Sequence, residues 1–141
     1  MIIQPNRLLY VAESKGRGRG VFTKEVIQKG DVIEVCPVVI FSEGYSKLLG
    51  QTELKDYIFS FPTLPGKNMP HDGSCICMGY GSLYNHSNTP NADWEADWDT
   101  KTITFYALKH IKVEEEIALN YRWSRKQLNE MRRMRSDRKT D

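Results

Sequence analysis

Apolar residues in this chain come in short runs broken every few positions by glycine, proline or asparagine, a pattern of strands rather than of long helices. The runs occupy residues 8–12, 20–23, 31–41, 75–78, 92–98, 102–107 and 117–119, and they predict a mostly β domain. Within 92–98 the alternation has a period of two. Asp93, Glu95, Asp97 and Asp99 therefore share one face, and Trp94, Ala96 and Trp98 share the other. The apolar face is expected beneath a sheet, the acidic face at a solvated edge that resists aggregation. Asp99-Thr100-Lys101 then predicts a hairpin turn into the next strand.

Two stretches depart from this pattern. Between residues 42 and 74 the sequence predicts a short helix over 46–57, then a loop marked by Pro62, Pro65, Gly66, Asn68, Pro70 and Gly73, together an insert between sheets. Beyond Tyr121, Ser124-x-x-Gln127 forms a capping-box pattern and Leu128, Met131 and Met134 recur every three residues. A short amphipathic helix with a fraying end is expected there. The organisation that follows is one domain over residues 1–121, with its insert at about 42–74, and a basic flanking helix or tail over 122–141.

With 141 residues, 40% of them hydrophobic, one domain can bury a core without metals or disulfides. The formal charge of +2 conceals an asymmetry: residues 122–141 carry eight Lys/Arg against three Asp/Glu, which leaves the body at −3. A mildly acidic body is not the footprint of a dedicated nucleic-acid binder, and it suits a cationic partner better. Salt-dependent nucleic-acid binding through the tail is the weaker reading. Cys36, Cys75 and Cys77 form no paired framework, and no basic-then-apolar leader opens the chain, so a reduced, cytoplasmic setting is expected. Cys75-x-Cys77 reads as buried structural thiols, since tetrahedral zinc needs four suitably spaced ligands; no metal is expected. No apolar run is long enough to span a bilayer, so no membrane partner is expected either.

The chemistry-bearing residues gather in three segments. Gly16-Arg17-Gly18-Arg19-Gly20 lies between two strands, whereas a dinucleotide-binding loop would enter a helix. Taken alone it is a glycine-rich turn, though its backbone can approach a ligand closely. Asn85-His86-Ser87-Asn88-Thr89-Pro90-Asn91 packs donors and acceptors into a tight bend. His86 stands without a serine or cysteine in nucleophile context, which makes it an orienting or packing group rather than a general base. Glu114-Glu115-Glu116-Ile117-Ala118-Leu119-Asn120-Tyr121 ends an apolar strand in a tyrosine whose default reading is a core residue.

In this order the three segments resemble the SET-domain protein lysine methyltransferases, and the resemblance covers roughly residues 8–121. It implies a SET-domain, β-clip-like fold: several small sheets, short helices and a C-terminal pseudoknot that gathers Asn85, His86 and Tyr121. It further implies S-adenosylmethionine as cofactor, bound by the backbone of Arg17, Gly18 and Arg19, by Asn85 and His86, and beside Tyr121 and Trp123. Tyr121 matches the family's catalytic tyrosine. Tyr57, Tyr80, Tyr84 and Trp94 are candidates for the wall of a lysine channel, while Trp123 suits either a channel aromatic or a core Trp docking the tail helix. The sequence departs from many chromatin-directed relatives in lacking a cysteine-rich zinc-binding segment after Tyr121, and Asn120 stands where aspartate is common. The implied function is methyl transfer to a lysine of a basic, histone-like protein. A homodimer is expected because compact relatives can act as dimers. The alternative is a non-catalytic module of the same fold that binds a peptide or partner.

Overall fold

The structure is a computed structural model that describes residues 1–61 and 73–121. Among the described residues nine strands follow one another as β1 (Leu9–Ser14), β2 (Gly18–Thr23), β3 (Val32–Ile40), β4 (Ile58–Ser60), β5 (Ser74–Cys77), β6 (Asn85–His86), β7 (Ala92–Asp97), β8 (Thr102–Ala107) and β9 (Glu116–Leu119). Three small sheets share strands. β1, β2 and β9 form the first; β9 also joins β6, β7, β8 and β3 in the second; and β3 continues into the third with β5 and β4. The strand-rich expectation is met.

The hairpins have local causes. In β1–β2 the register runs from Leu9 opposite Thr23 to Ser14 opposite Gly18, and Tyr10 stacks on its cross-strand partner Phe22 at 5.7 Å. In β7–β8 the turn forms because the Asp97 carboxylate accepts the Asp99 and Thr100 backbone N–H groups at 2.8 and 3.2 Å, while Lys101 takes a positive φ of 53°. Period-two burial on β7 follows the sequence. Ala92 and Trp94 are buried, Ala96 and Trp98 pack against the core, and Glu95, Asp97 and Asp99 are exposed.

The segment read as an insert is partly core. Its expected helix is divided into α1 (Tyr45–Leu49) and a 3-10 turn (Glu53–Tyr57), because Gly50 closes the first and Thr52 caps the second through its side chain. The chain then forms β4, which buries Phe59, and leads to Phe61, which is fully buried edge-on against Trp98. The centre is filled by Val21, Ile33, Ile103, Phe105, Ile117 and Leu119, each buried to at least 99%. Full burial of such side chains is worth about 1.5–3 kcal/mol apiece against exposure. This core fixes β9, and β9 delivers Tyr121 to the site.

Candidate active site

β9 lies parallel to β6, with Asn85 opposite Ala118 and His86 opposite Leu119. The interlock depends on Asn91, a buried side chain that imitates a backbone edge: its amide donates to the Glu116 carbonyl at 2.8 Å and its oxygen accepts the Ala118 N–H at 2.9 Å. Ser87 adds its N–H to the Leu119 carbonyl at 2.7 Å. The pairing implied by the resemblance, which brings Asn85 and His86 beside the strand that leads to Tyr121, is thus present and clamped by the 85–91 bend.

Glu116 fastens the glycine turn to this clamp. Its carboxylate accepts the Ser14 hydroxyl, lies 2.9 Å from Arg17 Nη2, and receives a longer bond from Asn85 Nδ2 at 3.4 Å. Arg17 donates Nη1 to the His86 carbonyl at 3.1 Å, and Asn85 Nδ2 donates to the Arg19 carbonyl at 3.0 Å. Two segments 66 residues apart are therefore sewn edge to edge. Gly20 is needed for the approach, since a Cβ there would meet the Glu116 carboxyl carbon at 2.9 Å. Gly18 differs: it holds a φ of +73°, and a Cβ there would enter open space, so the turn leaves room on that side.

His86 is buried and doubly bonded. Nδ1 accepts the Tyr121 N–H at 3.0 Å, which places the ring proton on Nε2, 3.1 Å from the Asn88 side-chain oxygen. It orients the backbone of Tyr121, in keeping with an orienting role. The Tyr121 phenol donates to the Tyr84 carbonyl, and its ring stands 5.3 Å from that of His86 and 6.4 Å from that of Phe59.

The remaining candidates divide. Tyr57 meets Arg19, whose Nη2 lies 3.5 Å from its hydroxyl, at the glycine-turn side. Tyr80 is half-buried against the core. Tyr84 offers its carbonyl to the site while its own ring is buried against Phe105 at 4.8 Å. Trp94 is buried edge-on to Phe59 at 4.9 Å, and Phe59 in turn stands edge-on to Tyr121. Trp123 and the expected tail helix lie outside the described residues. Phe59 and Glu116 carry no role in the sequence pattern and Asn91 only that of a bend former; for Asn91 and Glu116 the signal was available, since both stand inside the quoted motifs.

Titratable groups near the core are shifted toward their neutral forms. Burial raises the Glu34 carboxyl, opposed by hydrogen bonds from Tyr84, Cys36 and Tyr80. Burial, reinforced by Glu34, raises the Tyr84 phenol and the Cys36 thiol, and the neighbouring Cys75 and then burial raise Cys77. The three cysteines are buried and free. Raised thiols such as Cys36 and Cys77 are poor nucleophiles.

The open side of Gly18 leaves the backbone of the turn within reach of a ligand, beside the Asn85–His86 edge and the His86–Tyr121 aromatic pair. Comparison with known proteins gives the family. The SET domain family model matches residues 18–122. A Schizosaccharomyces pombe histone-lysine N-methyltransferase, specific for H3 lysine-37, is 33% identical over 114 residues, spanning 80% of this chain and 72% of that protein. A Plasmodium falciparum structure described as a candidate histone methyltransferase aligns with a TM-score of 0.62 and 32% identity, covering 87% of this chain and 98% of that one. A Neurospora SET domain histone lysine methyltransferase aligns with a TM-score of 0.61 over 82% of this chain and 52% of its own; at 20% identity the likeness is one of fold.

Proposed function

The chain belongs to the SET-domain family, and from that premise we propose that it transfers a methyl group from S-adenosylmethionine to the side-chain amine of a lysine in a protein substrate. The observation that carries this reading is the convergence of three distant segments: the 17–19 turn, Asn85–His86 and Tyr121 meet through direct hydrogen bonds.

The backbone of Arg17, Gly18 and Arg19 and the Asn85–His86 edge would hold the cofactor. When bound, it supplies an electrophilic methyl group. The work left to the chain is alignment and exclusion of water, because displacement needs a neutral amine directed at that carbon. Tyr121 suits this task. Its proton is committed to the Tyr84 carbonyl, so the oxygen lone pairs are left as acceptors for the polarised hydrogens of the reacting groups. His86 holds Tyr121 in place through the backbone and moves no proton itself. A desolvated wall disfavours ammonium and so lowers the pKa of the incoming lysine, whose proton passes to water.

A basic, histone-like protein fits the acidic body, on which Glu95 and Asp97 of β7 and Asp99 of the turn after it are exposed. A cytoplasmic setting, supported by the three unpaired thiols, and a homodimer complete the proposal. The peptide-binding module would have no use for a phenol aligned in this way.

The test is transfer of label from tritiated S-adenosylmethionine to recombinant histone H3. Tyr121→Phe is expected to lower turnover roughly 100-fold or more, with cofactor affinity by calorimetry within a few-fold of wild type. Absence of labelled lysine with H3 and with a mixture of basic host proteins would overturn the activity; unchanged turnover in the variant would overturn the role of Tyr121.

A further inference from the structure

A carboxyl group lies beneath the site where the strand pattern calls for an apolar residue. β3 pairs with β8 through a register shift between Val32 and Glu34, and its effect is visible in burial: the consecutive residues Ile33 and Glu34 are both inside, at 1% and 7% exposure. A bulge re-aims a side chain in this manner, at the cost of strict alternation. Here it turns the Glu34 carboxylate under the bend that precedes β6. Oε1 accepts the Tyr84 hydroxyl at 2.6 Å, and Oε2 stands 3.5 Å from the Tyr80 N–H. The bend is moulded onto this group. Gly79 has a φ of +65°, and a Cβ there would sit 3.0 Å from Oε2.

Tyr84 joins the two ends of a chain of contacts. Its phenol is tied to Glu34, its ring lies on Phe105, and its backbone carbonyl receives the Tyr121 hydroxyl. Displacing the ring therefore displaces the carbonyl that directs Tyr121. We propose that Glu34 is a positioning residue for methyl transfer, acting through the Tyr84 phenol to fix the Tyr84 carbonyl and so the direction of the Tyr121 hydroxyl. This rests on the methyltransferase reading above and extends it to a residue that touches neither cofactor nor substrate.

The argument makes the acceptor oxygen, not the negative charge, the necessary feature. Glu34→Gln keeps an oxygen for the Tyr84 hydroxyl; Glu34→Leu fills similar space without one; Tyr84→Phe deletes only the donor. With tritiated S-adenosylmethionine and histone H3, Tyr84→Phe and Glu34→Leu are expected to lower kcat about tenfold or more, with KM for both substrates within about threefold. Glu34→Gln should restore kcat to within about threefold of wild type, and the double variant Glu34→Leu/Tyr84→Phe should be no worse than either single one. A second readout does not depend on turnover. With 3-fluorotyrosine introduced at position 121, the 19F resonance of the cofactor-free protein is expected to move in Tyr84→Phe and to stay put in Glu34→Gln. Wild-type kcat and an unmoved resonance in Tyr84→Phe would overturn the inference, and so would additive losses in the double variant. Should Glu34→Leu fail to fold, Tyr84→Phe alone decides, since it removes one atom from a retained ring. An inactive wild-type protein would instead count against the methyltransferase reading, and the resonance would still report on Glu34.

Discussion

Three consecutive glutamates in one motif have three different tasks. Glu114 takes a φ of 65° at the entry to β9 and donates its N–H to the Thr23 carbonyl; Glu115 accepts the Lys112 N–H at 2.8 Å; Glu116 turns inward to Ser14, Arg17 and Asn85. Residue type alone does not separate them, because strand parity and the absence of a Cβ at Gly20 decide which one points at the turn. The inward position makes a graded prediction. Glu116→Gln retains an acceptor and loses an ion pair with Arg17, whose side chain is 34% exposed, so the loss in stability should stay below about 1 kcal/mol. Glu116→Ala strands three donors and should cost about 2–3 kcal/mol. Urea unfolding measures both, and equal losses for the two variants would show that charge, not acceptor capacity, is what holds the turn.

Elements that were legible in the sequence are those long enough to display a period or bounded by residues with one meaning. β7 and β8 are six residues each, alternate, and flank an aspartate-rich turn. β6, with two residues, and β4, with three, carry no period, and they exist because a neighbouring strand offers an unpaired edge. The same reason hid Phe59 and Phe61 inside an apparent insert, and the bulge before Glu34 was hidden because nothing in the local sequence marks it. The site residues were legible as motifs, while the clamp joining them was not: Asn91 reads as a turn former until β9 is laid against it. Asn91→Ala leaves the Ala118 N–H and the Glu116 carbonyl without their partner at a buried position. A loss of about 2–3 kcal/mol is expected, and hydrogen exchange should accelerate most at the β9 amides of residues 117–119. Uniform acceleration across all sheets would place the effect on global unfolding and deny β9 its dependence on this one side chain.

At the scale of the whole molecule, the raised Glu34 carboxyl makes folding stability depend on pH in a direction opposite to that of an ordinary surface acid. Among the described residues the groups facing it are the Tyr84 phenol and the Cys36 and Cys77 thiols, all pushed further into their neutral forms, with the Tyr80 N–H beside them, and no described cation offsets ionisation. The folded protein therefore binds the Glu34 proton more tightly than the unfolded chain does, and the unfolded chain releases it near the ordinary glutamate value of about 4.3. Below that value both states are protonated and the full contribution of the neutral carboxyl is present. As pH rises from there through the raised folded value, stability is lost, and above it the loss is complete and constant. Glu34→Gln imitates the protonated form and has no such slope. Urea unfolding of both proteins at pH 4, 5.5 and 7 should therefore show wild type falling steadily behind the variant as pH increases, since the other carboxylates contribute alike to both and cancel in the difference. A constant difference across the range would mean that Glu34 ionises as freely when folded as when unfolded, and a difference that narrows with rising pH would mean that its carboxylate is stabilised by a partner rather than penalised by burial.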